Sequence, residues 1–214
     1  LFFSATLSED IHKISEKFVS NPKVIEVAPP ASTADTVAQH LTWTDMKGKR
    51  DALRRLLRNE DLKNAVIFCN RKRDIGVLIR SLTRHGFGAV ALHGDMTQSA
   101  RLEALQKFKD GEVPLLIASD VAARGLDIAG LSHVFNFDVP SSAEDYVHRI
   151  GRTGRAGKSG RAFTIAAGKD DQRYVSAIEK LIGKSIPLFA DPGISEPRCL
   201  NSQAGAGRAG MAIL

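Results

Sequence analysis

Short apolar runs alternate with amphipathic stretches through most of the chain, and this alternation constrains the fold more than any other feature. The apolar runs are rich in Val, Ile, Leu and Phe and predict buried strands. The predicted strands span residues 39–44, 65–69, 89–92, 115–118, 133–137 and 162–166. The predicted helices span residues 47–58, 71–85, 97–109 and 170–182, with one more that begins near residue 142. This order predicts an α/β fold with a parallel sheet covered by helices on both faces.

Composition divides the 214 residues into four parts. Residues 1–27 predict a broken apolar strand, a short helix capped by Ser8 and a second short strand. Because the chain starts inside an apolar element, we interpret this part as the remnant of a truncated domain. Residues 28–38 are rich in Pro, Ser and Thr and predict a linker. Residues 39–187 form the α/β domain, and residues 188–214, rich in Gly, Ala and Ser, predict a disordered tail.

The overall composition is that of a globular protein with a basic balance. The net charge of +6 permits nucleic acid, anionic membrane or acidic protein partners and does not choose among them. No apolar run has the length of a membrane span, so we expect no membrane association. Cys69 lies in an apolar run and is expected to be buried, and with two cysteines a reduced, cytoplasmic setting is expected. The histidines show no ligand spacing with the cysteines, so we expect no metal site.

Residues 146–161 read YVHRIGRTGRAGKSGR, in which glycines and basic residues each recur at every third position. Arg152 and Arg155, with glycines that let the backbone come close, suit a polyphosphate, because a guanidinium group is a rigid fork that binds phosphate oxygens in pairs. The alternatives are a solvated basic turn and a disordered Gly/Arg segment that binds RNA. The Gly-Lys-Ser sequences at 157–159 and 183–185 lack the first glycine of a P-loop, so neither predicts that nucleotide cradle.

A short helix is expected to carry the first part of this basic run. Ser141 and Glu144 have the spacing of a capping box, which predicts a helix that begins directly after Ser141. If the helix continues to about Arg155, then His148, Arg152 and Arg155 lie on one face of it.

Polar residues follow the predicted strands directly, at the edge where ligands of parallel sheets bind. Residues 70–73 open a helix with three cations, Gln98 and Arg101 lie in the first turn of the next helix, and residues 119–127 leave a strand. Each cluster in isolation is explained about as well by a solvated polar loop. Together they predict the footprint of an extended polyanion, bound through its backbone because no aromatic side chains accompany them.

Taken together, these residues resemble the DEAD-box family of ATP-dependent RNA helicases in superfamily 2. The matching segments, in the family's order, are motif III at residues 4–6 (SAT), motif IV at 66–70 (VIFCN), the Q-x-x-R motif at 98–101 (QSAR), motif V at 119–127 (SDVAARGLD) and motif VI at 148–155 (HRIGRTGR). Motif VI matches at every position, and Ser119 keeps the hydroxyl where motif V often has threonine. The resemblance covers about residues 1–187.

The resemblance implies two RecA-like domains with ATP and Mg²⁺ between them, and RNA bound mainly through its sugar-phosphate backbone. This chain would supply the end of the first domain, the linker and the whole second domain. The family's P-loop lysine, Asp-Glu-Ala-Asp metal motif and glutamine motif belong to a part of the first domain that this sequence does not contain. The chain alone is therefore expected to be inactive. A superfamily 2 DNA motor and a non-catalytic RNA-binding module are the alternatives.

The resemblance also implies roles for individual residues. Arg152 and Arg155 would be arginine fingers that reach the γ-phosphate, and His148 would couple the ATP site to Ser4 and Thr6. The residues expected beside the nucleotide are Asp127, Gly125, Arg152 and Arg155. The residues expected to line the RNA path are Asn70, Arg71, Gly94, Gln98, Arg101, Ser119 and Gly125.

Overall fold

The computed structural model describes residues 9–19, 23, 36–123, 128, 130–155 and 159–189. The chain divides into two compact units, residues 1–30 and residues 31–214. The first unit contains helix α1 (Glu9–Phe18), which confirms the helix expected after Ser8. The two short strands predicted on either side of this helix lie outside the described residues.

The second unit alternates strands with helices as predicted. Its strands are β1 (Val37–Thr44), β2 (Ala65–Phe68), β3 (Ala89–Leu92), β4 (Leu115–Ala118), β5 (His133–Asn136) and β6 (Gly160–Ala167). Its helices are α2 (Lys49–Asn59), α3 (Lys72–Arg84), α4 (Gln98–Lys109), α5 (Asp120–Ala123), α6 (Ala143–Ile150) and α7 (Gly168–Ile182). The single turn of α5 was not predicted, because four residues are too few to show a helical period.

The strands form one parallel sheet in the order β1-β6-β5-β2-β4-β3. Pairing starts at the strand beginnings, with Val37 beside Gly160, and Ala65 between Leu115 and His133. The strands all point the same way, so their carboxyl ends meet at one edge, the carboxyl edge, and their amino ends at the opposite, amino edge. The predicted α/β fold with a parallel sheet is confirmed.

Helices cover both faces of this sheet, and two apolar clusters show which helices cover which face. On one face, leucines and an isoleucine of α2 and α3 pack against strand residues such as Ile67 and Ile117. On the other face, α4, α5, α6 and α7 pack against Val66 and Leu116, the residues that directly precede Ile67 and Ile117 in the strands. Consecutive strand residues point to opposite faces, which explains why these strands are apolar at every position.

The N-cap of α6 lies one residue further along the chain than predicted. Ser142, not Ser141, is the N-cap: its Oγ accepts a hydrogen bond of 3.4 Å from the N–H of Asp145. The same hydroxyl donates to the carboxylate of Glu144 at 2.5 Å, and this bond lowers the pKa of Glu144. The helix therefore begins where expected, with its cap made by the next serine.

The carboxyl end of α6 contradicts the prediction. The helix stops one residue before Gly151, which is the C-cap. Gly154 then adopts a φ of +66°, and a right-handed helix does not continue through that conformation. Arg152 and Arg155 therefore lie beyond the helix, and the prediction that they share a helical face with His148 is wrong.

The α/β domain begins earlier than predicted. β1 starts at Val37, so the last two residues of the segment predicted as a linker, residues 28–38, belong to the sheet. Thr36 is also described: its hydroxyl donates to the carbonyl of Gly154 at 2.8 Å. The rest of the linker lies outside the described residues and stays a prediction.

The domain also extends past its predicted end. The N–H of Leu41 in β1 donates to the carbonyl of Pro187 at 2.9 Å, and the N–H of Phe189 donates to the carbonyl of Leu41 at 2.8 Å. The first two residues of the predicted tail, residues 188–214, are therefore held against the outer strand. The tail beyond Phe189 lies outside the described residues.

Charged and aromatic side chains form a cluster at the amino edge. Oε2 of Glu60 lies 2.5 Å from Nη1 of Arg161 and 3.2 Å from Nε2 of His133. His40 stacks on Phe163, with ring centroids 4.9 Å apart. Burial lowers the pKa of both histidines; the charge of Arg161 lowers the pKa of His40 further, whereas Glu60 opposes the shift at His133.

Acid is expected to destabilise the domain through these histidines. Because folding lowers the pKa of His40 and His133 below 6.5, their contribution to stability is complete above about pH 6.5 and is lost as the pH falls through the folded-state values. His40→Phe keeps an aromatic ring beside Phe163 but cannot titrate, so its stability should fall less. Urea unfolding followed by Trp43 fluorescence between about pH 7.5 and about pH 5.5 measures this. Equal losses in the two proteins would contradict the prediction.

Candidate functional site

Arg149 lies at the centre of the carboxyl edge. It is on the buried side of α6 with Tyr146 and Ile150, and only 2% of it is exposed. Its Nε and Nη2 donate to the two carboxylate oxygens of Asp120 at 2.7 and 2.6 Å, the two-point geometry in which arginine binds carboxylates most strongly. Its guanidinium carbon lies 5.1 Å from the centre of the Phe68 ring.

The same guanidinium group joins three neighbouring strand ends. Nη2 also donates to Oδ1 of Asn70, which follows β2, at 2.8 Å. Nη1 donates to the carbonyl of Asp138, which follows β5, at 2.8 Å. Asp120 follows β4. One side chain on α6 therefore fixes the relative positions of the loops that leave β2, β4 and β5, and the low dielectric of its surroundings strengthens each bond.

A second buried cation extends this network to α2. Nζ of Lys49 lies 2.7 Å from Oδ1 of Asp138, and Lys49 is 4% exposed. The other carboxylate oxygen of Asp138 accepts the N–H of Asn70 at 3.0 Å. The amide of Asn70 in turn donates to the carbonyl of Val139 at 2.9 Å. The carboxyl edge is thus held by a continuous set of polar contacts from Lys49 to Arg149.

Sequence reasoning missed both buried cations. It counted Arg149 as one of the evenly spaced basic residues of the Gly/Arg run, and it gave no role to Lys49 in the predicted helix 47–58. The available indication was their position on the apolar stripe: Arg149 lies three residues after Tyr146, and Lys49 lies four residues before Leu53, and both of these neighbours are fully buried. A cation on the buried side of a helix needs an anionic or carbonyl partner, but the sequence does not say which one.

The residues expected at the phosphates lie together beside this network. His148 and Arg152 line a small depression with Phe68, Asp120, Ala123, Asp145 and Arg149. His148 is exposed on the last turn of α6, and Arg152 is half-buried just beyond it. Burial and then the charge of Arg155 lower the pKa of Arg152, and an arginine still stays protonated. Arg155 is exposed, and its Nε donates to the carbonyl of Gly151 at 2.5 Å.

Glycines shape the turn that carries these two arginines. A β-carbon on Gly154 would come within 2.5 Å of Cγ2 of Val37. One on Gly160 would come within 2.5 Å of the Gly154 nitrogen and would also meet the side chain of Thr153. The Thr153 hydroxyl donates to the carbonyl of Leu131, so the turn is fastened to the loop before β5. Part of the glycine pattern is therefore explained by close packing around the arginines.

The residues expected on the RNA path lie beyond the ends of β2, β3 and β4. Asn70 is exposed, but its side chain is engaged by Arg149. Arg71 is exposed at the N-cap of α3. Gly94 is exposed in the loop after β3, and among the described atoms none lies within 4 Å of the place a β-carbon would take. The main chain at Gly94 and the side chain of Arg71 are therefore both accessible to a ligand.

The remaining three RNA-path residues that can be located surround α5 and the start of α4. Gln98 is the exposed first residue of α4. Arg101 is half-buried, and its Nη2 donates to the carbonyl of Ala122 at 3.2 Å, which ties α4 to α5. Ser119 is half-buried between β4 and α5, and its N–H donates to the carbonyl of Leu92 at 3.3 Å. One nitrogen of the Arg101 guanidinium group is therefore already used in a hydrogen bond within the domain, which leaves fewer donors for RNA than the sequence suggested.

Some expected site residues cannot be located. Gly125, Asp127, Ser4 and Thr6 lie outside the described residues. Within the described ranges, no three His, Cys, Asp or Glu side chains are arranged to hold a metal ion. In the same ranges, no helix combines the length and the apolar character that crossing a bilayer requires. Cys69 is fully buried as predicted, and burial raises the pKa of its thiol.

The fold and the carboxyl-edge residues together define a RecA-like domain of the helicase type. The model of the "helicase conserved C-terminal domain" family matches residues 48–157, about half of the chain. Among curated proteins, the DEAD-box ATP-dependent RNA helicases CshA of Bacillus subtilis and Geobacillus kaustophilus are 41% and 44% identical over 196 residues, which is 92% of this chain. The chain spans 40% and 42% of the length of these relatives.

Solved structures agree with these matches. S. cerevisiae Dbp5 bound to RNA and ADP BeF3 superimposes with a TM-score of 0.77 at 30% identity, covering 87% of this chain and 50% of that one. E. coli DEAD-box protein SrmB, in complex with regulator of ribonuclease activity A, gives a TM-score of 0.69 at 32% identity, covering 75% of this chain and 96% of that one. The chain belongs to the DEAD-box family of RNA helicases, as its motifs indicated.

Replacing Arg149 by Met is expected to lower the free energy of unfolding by about 3–5 kcal/mol, because the Asp120 carboxylate and the Asp138 carbonyl then lose a buried partner. Urea unfolding followed by circular dichroism measures the change. The control is Arg173→Met: Arg173 pairs with Asp170 on the surface of α7, so this change should have little effect. Similar losses in the two variants would contradict the role given to Arg149.

Proposed function

We propose that this chain is the second RecA-like half of an ATP-dependent RNA helicase, which couples ATP binding and hydrolysis to the unwinding or remodelling of RNA. One observation carries the proposal: the complete motif VI places two guanidinium groups, Arg152 and Arg155, just beyond a helix that is anchored to the strand ends of the predicted RNA path. Phosphate chemistry and RNA binding would then meet in one rigid assembly. The two curated relatives reported above are both named ATP-dependent RNA helicases, which supports the same proposal.

In this proposal Arg152 and Arg155 are arginine fingers. Each reaches the γ-phosphate of an ATP held by the first RecA-like domain and stabilises the negative charge that develops as the phosphoryl group is transferred. An arginine supplied across an interface contributes about 10³- to 10⁵-fold in rate. Among the described contacts of Arg155, only its Nε forms a hydrogen bond, to the carbonyl of Gly151. Both Nη groups therefore remain available to phosphate oxygens. The half-buried guanidinium of Arg152 borders the depression beside Asp120.

The residues described here fit the terminal phosphates of ATP and not the whole nucleotide. ATP would supply the phosphoryl group that is transferred, and Mg²⁺ would be held by carboxylates of the first domain. The 214 residues contain no complete P-loop, and the described ranges contain no metal cluster. We assign Asp127 and Gly125 to the nucleotide side of the cleft on their position in motif V.

RNA would lie along the carboxyl edge of the sheet. We assign its backbone contacts to residues beyond β2, β3 and β4: Asn70, Arg71, Gly94, Gln98, Arg101, Ser119 and Gly125. Exposed main chain and cations, without exposed aromatic rings among them, suit phosphate and sugar rather than base edges.

His148 would transmit the state of the ATP site to Ser4 and Thr6. A free, buried Cys69 suits a reducing cytoplasm, where we place the protein.

The purified 214-residue chain is expected not to hydrolyse ATP, because a finger accelerates transfer only for a nucleotide held by a partner domain. Phosphate release would be measured with and without RNA, beside a full-length protein that contains this chain. RNA-stimulated release by the chain alone would show that the first domain is dispensable. A full-length protein stimulated by DNA and not by RNA would favour a DNA motor instead.

In the full-length protein, Arg155→Ala is expected to reduce ATP turnover by about 10³-fold or more and to leave RNA affinity within about twofold, because the residue contacts phosphate of ATP and not of RNA. Steady-state hydrolysis and fluorescence anisotropy of labelled RNA measure the two effects. Arg173→Ala, on the surface of α7, is the control and should change neither. Parallel loss of turnover and RNA binding would remove the finger assignment.

A further inference from the structure

The positive charge of the chain is concentrated in one short segment. Residues 47–85 contain twelve lysines and arginines and four aspartates and glutamates, a net charge of +8, whereas the whole chain has +6. The rest of the chain is therefore slightly acidic. This segment consists of α2, β2 and α3 with their loops, and its strand carries no charge, so most of the charge lies on the two helices.

These two helices form one layer on one face of the sheet and run in the same direction. α2 begins at the carboxyl edge, where Lys49 contacts Asp138, and ends near the amino edge, where Glu60 contacts His133. α3 begins directly after β2 and ends before β3 starts. Both helices therefore lead from the proposed RNA path down the side of the domain to its opposite edge.

Contacts between the helices bring their arginines together. Nη1 of Arg54 in α2 donates to Oγ of Ser81 in α3 at 3.0 Å. The guanidinium carbon of Arg58 lies 5.7 Å from the centre of the Phe87 ring, just beyond α3. Burial, followed by the charges of Arg50 and Arg58, lowers the pKa of Arg54. The layer is thus crowded with like charge, an arrangement that is unfavourable without an anionic partner.

The acids of this segment do not neutralise the crowding. Asp51 pairs with Arg54, Glu60 pairs with Arg161 of β6, and Asp74 lies near Arg73. Six arginines are exposed on the two helices, and within the described residues the four other than Arg55 and Arg73 form no ion pair. These four define the lateral arginine face: Arg50, Arg58, Arg80 and Arg84.

We propose that the lateral arginine face binds the sugar-phosphate backbone of RNA that continues past the carboxyl edge, so that the chain holds more RNA than the predicted path alone. This inference rests on the proposed function. α3 has 13 residues and is about 20 Å long, which corresponds to about six nucleotides at about 3.4 Å each. The face binds backbone because it offers guanidinium forks and, of the large exposed apolar residues, α2 and α3 in the described chain show only Val77. A protein partner would be expected to use apolar anchors.

The test compares the 214-residue chain with the variant Arg50→Gln/Arg58→Gln/Arg84→Gln on two single-stranded oligouridines, about six and about fourteen nucleotides long. Affinity is measured by fluorescence anisotropy over a range of salt concentrations. The variant should bind the long RNA at least about tenfold more weakly, with a salt slope reduced by about two, since each lost contact removes about 0.7. Binding of the short RNA should stay within about twofold.

A matched control removes three charges from the opposite helix layer: Lys169→Gln/Lys180→Gln/Lys184→Gln, all exposed in or after α7. If the control loses as much affinity as the arginine variant, net charge explains the effect and the inference is overturned. If the unmodified chain binds the long RNA no better than the short one, the inference falls and the proposed function stands. If it binds neither, both fall. If only polyglutamate binding drops in the arginine variant, the face serves an acidic protein and not RNA.

Discussion

A single buried guanidinium group determines how the functional edge of this domain is assembled. Arg149 cannot be solvated where it lies, so its stability depends on the carboxylate of Asp120, the amide oxygen of Asn70 and the carbonyl of Asp138. Conversely, Arg149 supplies the Asp138 carbonyl and the Asp120 carboxylate with donors that are largely shielded from water. Loops that enter from three different strands thereby become one rigid body, and α6 cannot shift without moving all of them.

This arrangement gives the proposed coupling a physical basis. Arg152 and Arg155 directly follow α6, and residues of the proposed RNA path directly follow the strands that Arg149 joins. Suppose that a ligand displaces the turn with Arg152 and Arg155, or the loops of the proposed RNA path. It must then either break a charge-assisted hydrogen bond of Arg149 in a site of low dielectric or move the other of these two parts as well. Joint movement costs less free energy, because every hydrogen bond of the polar network is kept. The turn with Gly154 and Gly160 adds to this by fastening the arginines to the loop before β5.

The sequence was sufficient for the fold, because strands β2, β3 and β4 are apolar at every position and amphipathic helices alternate with the strands. It placed nearly every element within two residues, including the helix that starts after Ser142. It was insufficient where a structure depends on one backbone angle or one long-range partner. The end of α6 is set by Gly151 and the left-handed Gly154, which a Gly/Arg pattern does not reveal. Likewise, the partners of Arg149 lie 11 to 79 residues away, a distance that no local pattern spans.

The short pairing of Leu41 with Pro187 and Phe189 has a consequence for the behaviour of the domain in solution. β1 is an outer strand, and unpaired main-chain groups on such a strand invite β-pairing between molecules. Here the chain covers part of that strand with its own later residues, and the Phe189 ring packs edge-on against Phe163 with centroids 5.3 Å apart. A domain whose carboxyl edge is proposed to bind RNA thereby shields part of its outer strand from pairing with another molecule.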